Sequence, residues 1–236
     1  MSALIQRRRL LLSMAALPAL GFGLAACSDD DSVANAGDAG TDPVTTAAVD
    51  VPSSTGSVDV NKLMEAGALE DMVEGSADAP VTIVEYASMT CGHCANFHVN
   101  TYPALKEKYI DTGKVRLIMR EFPFDPRAEA GFMLARCSKD NYFAMVDVLF
   151  KQQNNWAPVQ DAQAALLKIA KLAGFSQQSF EACLTDQKLL TDIRSVRERA
   201  ASEFGVDATP TFFINGKKYS GAMSIDQMSA IIDGMI

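Results

Sequence analysis

Cys91-Gly92-His93-Cys94 constrains this chain more than any other four residues in it. Two cysteines stand two residues apart, directly after an apolar run (Val81-Thr82-Ile83-Val84-Glu85-Tyr86) and directly before a helical pattern. A C-x-x-C motif in that setting reads as a redox-active dithiol at a helix N-terminus. The spacing brings the sulfurs within bonding reach, and the helix end supplies partial positive charge to a thiolate. A strand must therefore deliver the motif and a helix must carry the chain away from it.

The first residues read as an address. Arg7-Arg8-Arg9 forms a positive n-region, and Leu10 to Leu24 is an apolar stretch interrupted by Pro18. A spanning helix needs about 20 apolar residues, so this stretch is expected to be an export signal covering residues 1–26. It ends in Leu24-Ala25-Ala26-Cys27, which resembles the lipobox of bacterial lipoproteins. On that reading Cys27 becomes the new N-terminus and carries lipid; the alternative is ordinary cleavage that leaves Cys27 unmodified. The arginine–leucine run also resembles a twin-arginine signal, with a general secretory n-region as the other reading.

Ser28 to Ser57 contains six aspartates and no lysine, arginine or aromatic residue. Such a segment buries too little apolar surface to fold. Residues 27–57 are expected to be a disordered acidic tether, and residues 58–236 the folded domain. Thirty residues of flexible coil span roughly 30 Å root-mean-square. The whole chain has 21 basic and 29 acidic residues; loss of the signal takes three arginines and no acid, leaving 18 against 29 and a net charge of −11. That balance offers no electrostatic footprint for nucleic acid. Export implies an oxidising compartment in which disulfides persist, so the expected location is extracytoplasmic, lipid-anchored to a bacterial membrane.

Within the domain, a short helix is expected over Asn61–Glu70 and a strand over Val81–Tyr86. A helix over Ala95–Ile110 follows, bent at Pro103. Asp111-Thr112-Gly113-Lys114 reads as a turn and Val115–Phe122 as a second strand. From about 127 to 204 apolar residues recur at helical spacing and strand signal is nearly absent. Strand signal returns at Thr211–Ile214, Asn215-Gly216 makes a tight hairpin into Lys217–Tyr219, and Ser224 caps a last helix running to Ile236. The order defines an α/β fold: a thioredoxin-like central sheet with an inserted α-helical domain at about 127–204.

These pieces resemble the DsbA-type thiol–disulfide oxidoreductases, and within them the branch with Gram-positive and alphaproteobacterial members. The resemblance lies in Val81 to Phe97, Tyr109 to Pro123, Ala135-Arg136-Cys137, the helix through Phe143, Leu149 and Phe150, and Phe204 to Gly221. It spans nearly all of residues 58–236. It implies exchange of disulfides with reduced exported proteins and reoxidation by a quinone-linked membrane partner of the DsbB type. The dithiol is its own redox centre, so no cofactor and no metal is expected.

Cys91 stands first in the motif, at the open helix end where backbone N–H groups lower a thiol's pKa, and is expected to be the nucleophile. Cys94, one turn inside, is expected to resolve mixed disulfides. His93 can stabilise the Cys91 thiolate as a dipole or cation, or can simply face solvent. Strong oxidants of the family carry proline where this chain has Gly92. Gly-His is similar to protein disulfide isomerase, with a potential of about −180 mV against about −120 mV for DsbA. The resemblance also makes Pro210 a cis residue facing the dithiol, with the Thr209 backbone presented to an extended substrate; the alternative is a trans proline that starts a strand. At Glu85 it implies a buried acid that assists proton transfer at the inner cysteine, where alternation alone could turn the side chain outward. Cys137 and Cys183 are the two cysteines left over in an exported chain, so they are expected to form a structural disulfide; two separate buried thiols are the other reading. Some alphaproteobacterial relatives are similar in carrying a second disulfide in this block.

Two other classes compete. Met89-Thr90-Cys91-Gly92-His93-Cys94 also matches the M-T-C-x-x-C of copper metallochaperones, in which Met89, Cys91 and Cys94 would bind Cu(I). Those domains lack the Thr-Pro strand and the insertion. Zinc needs four ligands, and this chain has only the histidines His93 and His98. The other rival, a disulfide isomerase or reductase, stays within redox chemistry. Isomerases of this type are dimers or trimers, and the stretch before Val81 holds little material for dimerisation, so a monomer is expected.

Overall fold

In the computed structural model, which describes residues 49–236, the sheet is built around one buried strand. The strands are β1 (Gly56–Ser57), β2 (Met72–Glu74), β3 (Val81–Ala87), β4 (Val115–Glu121), β5 (Thr211–Ile214) and β6 (Lys217–Ser220), in the sheet order β1-β6-β5-β3-β4-β2. β3 runs parallel to β4 and antiparallel to β5; the other pairs are antiparallel. β3 is buried at six of its seven positions. Both its faces are covered, which is why it reads as an almost continuous apolar run rather than an alternating one.

The helices are α1 (Val60–Met64), α2 (Gly92–Asn100), α3 (Tyr102–Leu105), α4 (Pro126–Cys137), α5 (Tyr142–Lys151), α6 (Gln153–Trp156), α7 (Ala162–Leu172), α8 (Gln177–Leu184), α9 (Gln187–Phe204) and α10 (Ile225–Asp233). α2 and α3 connect the parallel strands. The break between them falls at Thr101, two residues before Pro103, and the chain after α3 widens into a π turn over Lys106–Ile110. α4 to α9 form the inserted helical block.

The helix starts are set by side chains that satisfy otherwise unpaired N–H groups. Asp125 Oδ1 accepts from the backbone N–H of Arg127 (2.8 Å) and Ala128 (3.0 Å), with Pro126 as the first residue of α4. Ser176 and Ser224 make capping boxes at α8 and α10. Asn215 and Gly216, both at positive φ, turn β5 into β6. A Cβ on Gly216 would come within 2.9 Å of the Val58 carbonyl oxygen, so the turn and the incoming chain need glycine there.

Three clusters fill the core. One lies between the sheet and the helical block and includes Cys94, Phe132, Tyr142, Phe150, Trp156 and Phe180. A second packs Phe97, Tyr109 and Phe212 against α10. The third, on the other sheet face, holds Tyr86, Phe122, Phe204 and Phe213 beneath α1 and α9.

Two expectations are corrected. The first helix ends at Met64 rather than Glu70, and the chain beyond it becomes the edge strand β2, paired through Val73 to Ile118. The folded domain also begins before residue 58. Gly56 and Ser57 pair with Lys218 and Lys217, and the Gln227 amide donates to the Asp50 carbonyl at 3.0 Å. The last part of the expected tether is thus held by backbone pairing to a sheet edge, which needs no apolar side chains. Cys27, the signal segment and the rest of the tether lie outside the described residues.

Candidate active site

β3 ends at Ala87, and the turn Ser88-Met89-Thr90 places Cys91 at the N-cap of α2. The Cys91 carbonyl accepts the first helical bond, from Ala95 N–H at 3.1 Å. Its side chain therefore sits where the helix presents unpaired N–H groups and its positive end. The two sulfurs are not bonded to each other in this structure. The Cys91 thiol is half-buried, and its pKa is lowered to about 5. The first cause is hydrogen bonding from the Cys94 side chain. The Thr209 side chain and the backbone N–H groups of Cys94 and His93 add to it, against burial. Cys94 is fully buried and its pKa is pushed well up, first by burial, then by its bond to Cys91 and by the charges of Cys91 and Glu85. One sulfur of the pair is thus an exposed-side thiolate and the other a buried thiol.

β5 supplies the opposite wall. The Thr209–Pro210 peptide bond is cis, and Cys91 Sγ lies 3.2 Å from the Thr209 carbonyl oxygen, to which it donates when protonated. The Thr209 hydroxyl is buried, with no partner other than the Cys91 sulfur whose pKa it helps to lower. The Pro210 carbonyl accepts from Gly221 N–H at 2.8 Å, which ties this segment to the end of β6.

Glu85 points inward, fully buried, from the centre of β3. His98 Nε2 lies 3.0 and 3.1 Å from its two carboxylate oxygens. The His98 ring stacks on Phe150 at 4.4 Å between centroids and lies edge-on to Phe97. His98 stands four residues after Cys94, so both face the same side of α2. In the sequence His98 is marked only by its i, i+4 spacing to Cys94, which does not reveal its partner Glu85. Gln153 belongs to the site as well. From α6 its amide donates to the Met89 carbonyl (2.9 Å) and the Cys91 carbonyl (3.0 Å), so the helical block grips the backbone of the dithiol turn. No local pattern in the sequence marks it.

The His93 ring is exposed, and it is the His93 backbone N–H that reaches Cys91. Cys137 and Cys183 are bonded to each other, with Cα atoms 6.1 Å apart, and join the end of α4 to α8. Met89 is fully buried and packs on the backbone of Gly131 in α4, so it serves as core rather than as a surface ligand beside the cysteines. Among the described residues no group of three or more His, Cys, Asp or Glu side chains is placed to hold a metal ion.

A family model described as thioredoxin matches residues 68–234. A Rickettsia bellii protein named a protein-disulfide oxidoreductase is 34% identical over 168 residues, covering 70% of this chain and 64% of the relative. The Bacillus cereus disulfide bond formation protein D is 30% identical, covering 67% of this chain and 76% of the relative. The crystal structure of Wolbachia pipientis alpha-DsbA1 superposes with a TM-score of 0.69 at 33% identity, over 75% of this chain and 96% of that one. The chain spans a little under two thirds of the length of the Rickettsia relatives it matches. With that match over most of its length, the chain belongs to the thioredoxin family, in its DsbA type.

Proposed function

We propose that the protein is a thiol–disulfide oxidoreductase that donates disulfides to reduced exported proteins through Cys91 and Cys94. The observation that carries this reading is the contrast between the two sulfurs: Cys91 is held as a thiolate at a helix N-cap, and Cys94 is a buried thiol. A dithiol whose reduced form is stabilised by such a thiolate gives up its disulfide readily.

In the donating direction the oxidised pair meets a substrate thiolate, which attacks Cys91 Sγ. The Cys91–Cys94 bond breaks, a mixed disulfide forms at Cys91, and Cys94 leaves with the electron pair. Its raised pKa means that it takes a proton. Glu85, bonded to His98 and near enough to act on Cys94 through its charge, supports the reading in which it relays that proton. A second substrate thiolate then attacks the substrate sulfur of the mixed disulfide and expels Cys91 as thiolate. The substrate has lost two electrons and the protein has gained them. The Thr209 carbonyl beside Cys91 and the Pro210 turn form the wall along which an extended substrate segment would lie.

The N-terminal segment gives the proposed setting: an export signal over residues 1–26, lipid on Cys27, and an acidic tether that keeps a monomeric domain at an extracytoplasmic membrane surface. Reoxidation would fall to a quinone-linked membrane protein of the DsbB type. An isomerase is the second reading, favoured by Gly92-His93 within the motif and by threonine at position 209. The test is to mix the oxidised protein with a reduced, unfolded two-cysteine protein. Stoichiometric loss of substrate thiols supports donation. Reshuffling of a scrambled substrate without net thiol loss would favour the isomerase.

A further inference from the structure

Beside the dithiol turn lies a cavity of about 330 Å3 whose lining includes Thr90, Gly92, Asp125, Arg127, Gln153 and Asn154. It shares no residue with the Thr209–Pro210 wall. Its mouth is open over the motif, because a Cβ on Gly92 would meet nothing within 4 Å.

The polar groups of this cavity are not equally spent. Both oxygens of Asp125 are occupied: one by the N–H groups of Arg127 and Ala128, the other by the Thr90 hydroxyl at 2.5 Å. The Gln153 amide is committed to the Met89 and Cys91 carbonyls. Arg127 differs. Its Nη1 donates to the Ala157 carbonyl at 2.5 Å, which fixes the guanidinium in a lining shared with Thr90 and Gly92. Among the described residues no carboxylate lies within salt-bridge distance of it, as is also true of Arg116 and Arg197, whereas Arg120, Arg136, Arg194 and Arg199 each have one; of the three without one, Arg127 is the one that lines this cavity. A half-buried, positioned guanidinium with remaining donors is suited to a carboxylate, which it can bind through two parallel hydrogen bonds.

We propose that Arg127 is a specificity-determining residue: it receives the side-chain carboxylate of an aspartate or glutamate close to the reactive cysteine of a substrate polypeptide. This inference rests on the oxidoreductase reading above and adds to it a preference among substrates. A cavity of this volume is roughly 9 Å across, or about three residues of extended chain. The acidic residue is therefore expected within about three positions of the cysteine bonded to Cys91. The domain's overall negative charge repels an acidic protein as a whole. The preference is thus for one acidic residue in a local context, not for acidic partners.

The test uses two reduced peptides that differ only in Glu or Gln two residues from a single cysteine. The rate of mixed-disulfide formation with the oxidised protein is measured for the native chain, Arg127→Gln, Arg127→Lys and Arg127→Glu. The native chain should favour the Glu peptide about fivefold at low salt, falling as salt is added. Arg127→Lys should keep part of the preference, Arg127→Gln should lose it, and Arg127→Glu should reverse it. An unchanged Glu-to-Gln ratio in Arg127→Gln overturns the proposal, and so does equal reaction of both peptides with the native chain. Failure of both peptides to react at all would instead overturn the oxidoreductase reading.

Discussion

The thiol of Cys91 meets the carbonyl oxygen of Thr209 at 3.2 Å, across 118 residues of sequence. One half of the sheet brings Cys91 on β3 and α2, and the other brings the cis proline turn before β5. The whole helical block is threaded between them. A substrate segment bonded to Cys91 would therefore find a backbone acceptor for its own N–H already beside it.

Cys91→Ala should abolish exchange, and Cys94→Ala should accumulate mixed disulfides. With Cys94 gone, nothing inside the protein can attack the bond between Cys91 and its partner. Non-reducing gels of cells or lysates expressing each variant check this. Trapped partners that persist in the Cys91→Ala, Cys94→Ala double variant would contradict the assigned roles.

The reactivity of Cys91 should titrate near pH 5. Alkylation of the reduced protein should rise through that value and then level off, with Cys94 unreactive. The same shift carries a sign for stability. The folded pKa lies below the ordinary thiol value of about 8.5. The thiolate therefore stabilises the reduced protein fully above about pH 8.5, and that stabilisation is lost as the pH falls through about 5. Urea unfolding of the reduced protein across this window should show stability climbing with pH, over and above any change in the oxidised form. Equal slopes for the two forms would contradict it.

Breaking the Glu85–His98 pair should be costly, because either group alone is left polar and unpartnered in the core. His98→Leu should destabilise by on the order of 3 kcal/mol. Glu85→Leu combined with His98→Leu should recover part of that loss. A double variant no better than the worse single one, measured by denaturant unfolding, would mean the pair is not coupled. In Glu85→Gln the formation of the mixed disulfide, in which Cys94 leaves and takes a proton, should slow, and so should its reversal by Cys94, while expulsion of Cys91 by the substrate's second thiolate is retained.

The Cys137–Cys183 bond closes a loop of about 47 residues, for which the chain-entropy model gives roughly 4 kcal/mol. Replacing both by alanine should lower stability by an amount of that order. The potential of the Cys91–Cys94 pair should stay nearly unchanged. A shift of more than about 30 mV, a tenfold change in the exchange equilibrium, would mean that the second pair also tunes the first.

Much of this arrangement is legible in the sequence because the signals are local. The apolar run of β3, the dithiol, the Asn215-Gly216 turn and the Ser224 cap each fix structure within a few residues. β1 and β2 are not legible. They are two and three residues long, polar or mixed, and exist only because an edge of β6 or β4 offers unpaired backbone groups. Gln153 and Arg127 acquire their roles from how the helical block seats on the dithiol turn, a long-range relationship that no spacing encodes. His98 lies between: its helical register to Cys94 is local, but its partner Glu85 comes from the neighbouring strand.

The reduction potential of Cys91–Cys94, measured by equilibrating residues 49–236 in glutathione buffers, tests the central claim most directly. A thiolate held down at the helix N-cap predicts a value at or above about −180 mV. A value near about −270 mV would make the pair a thioredoxin-like reductant and would contradict disulfide donation.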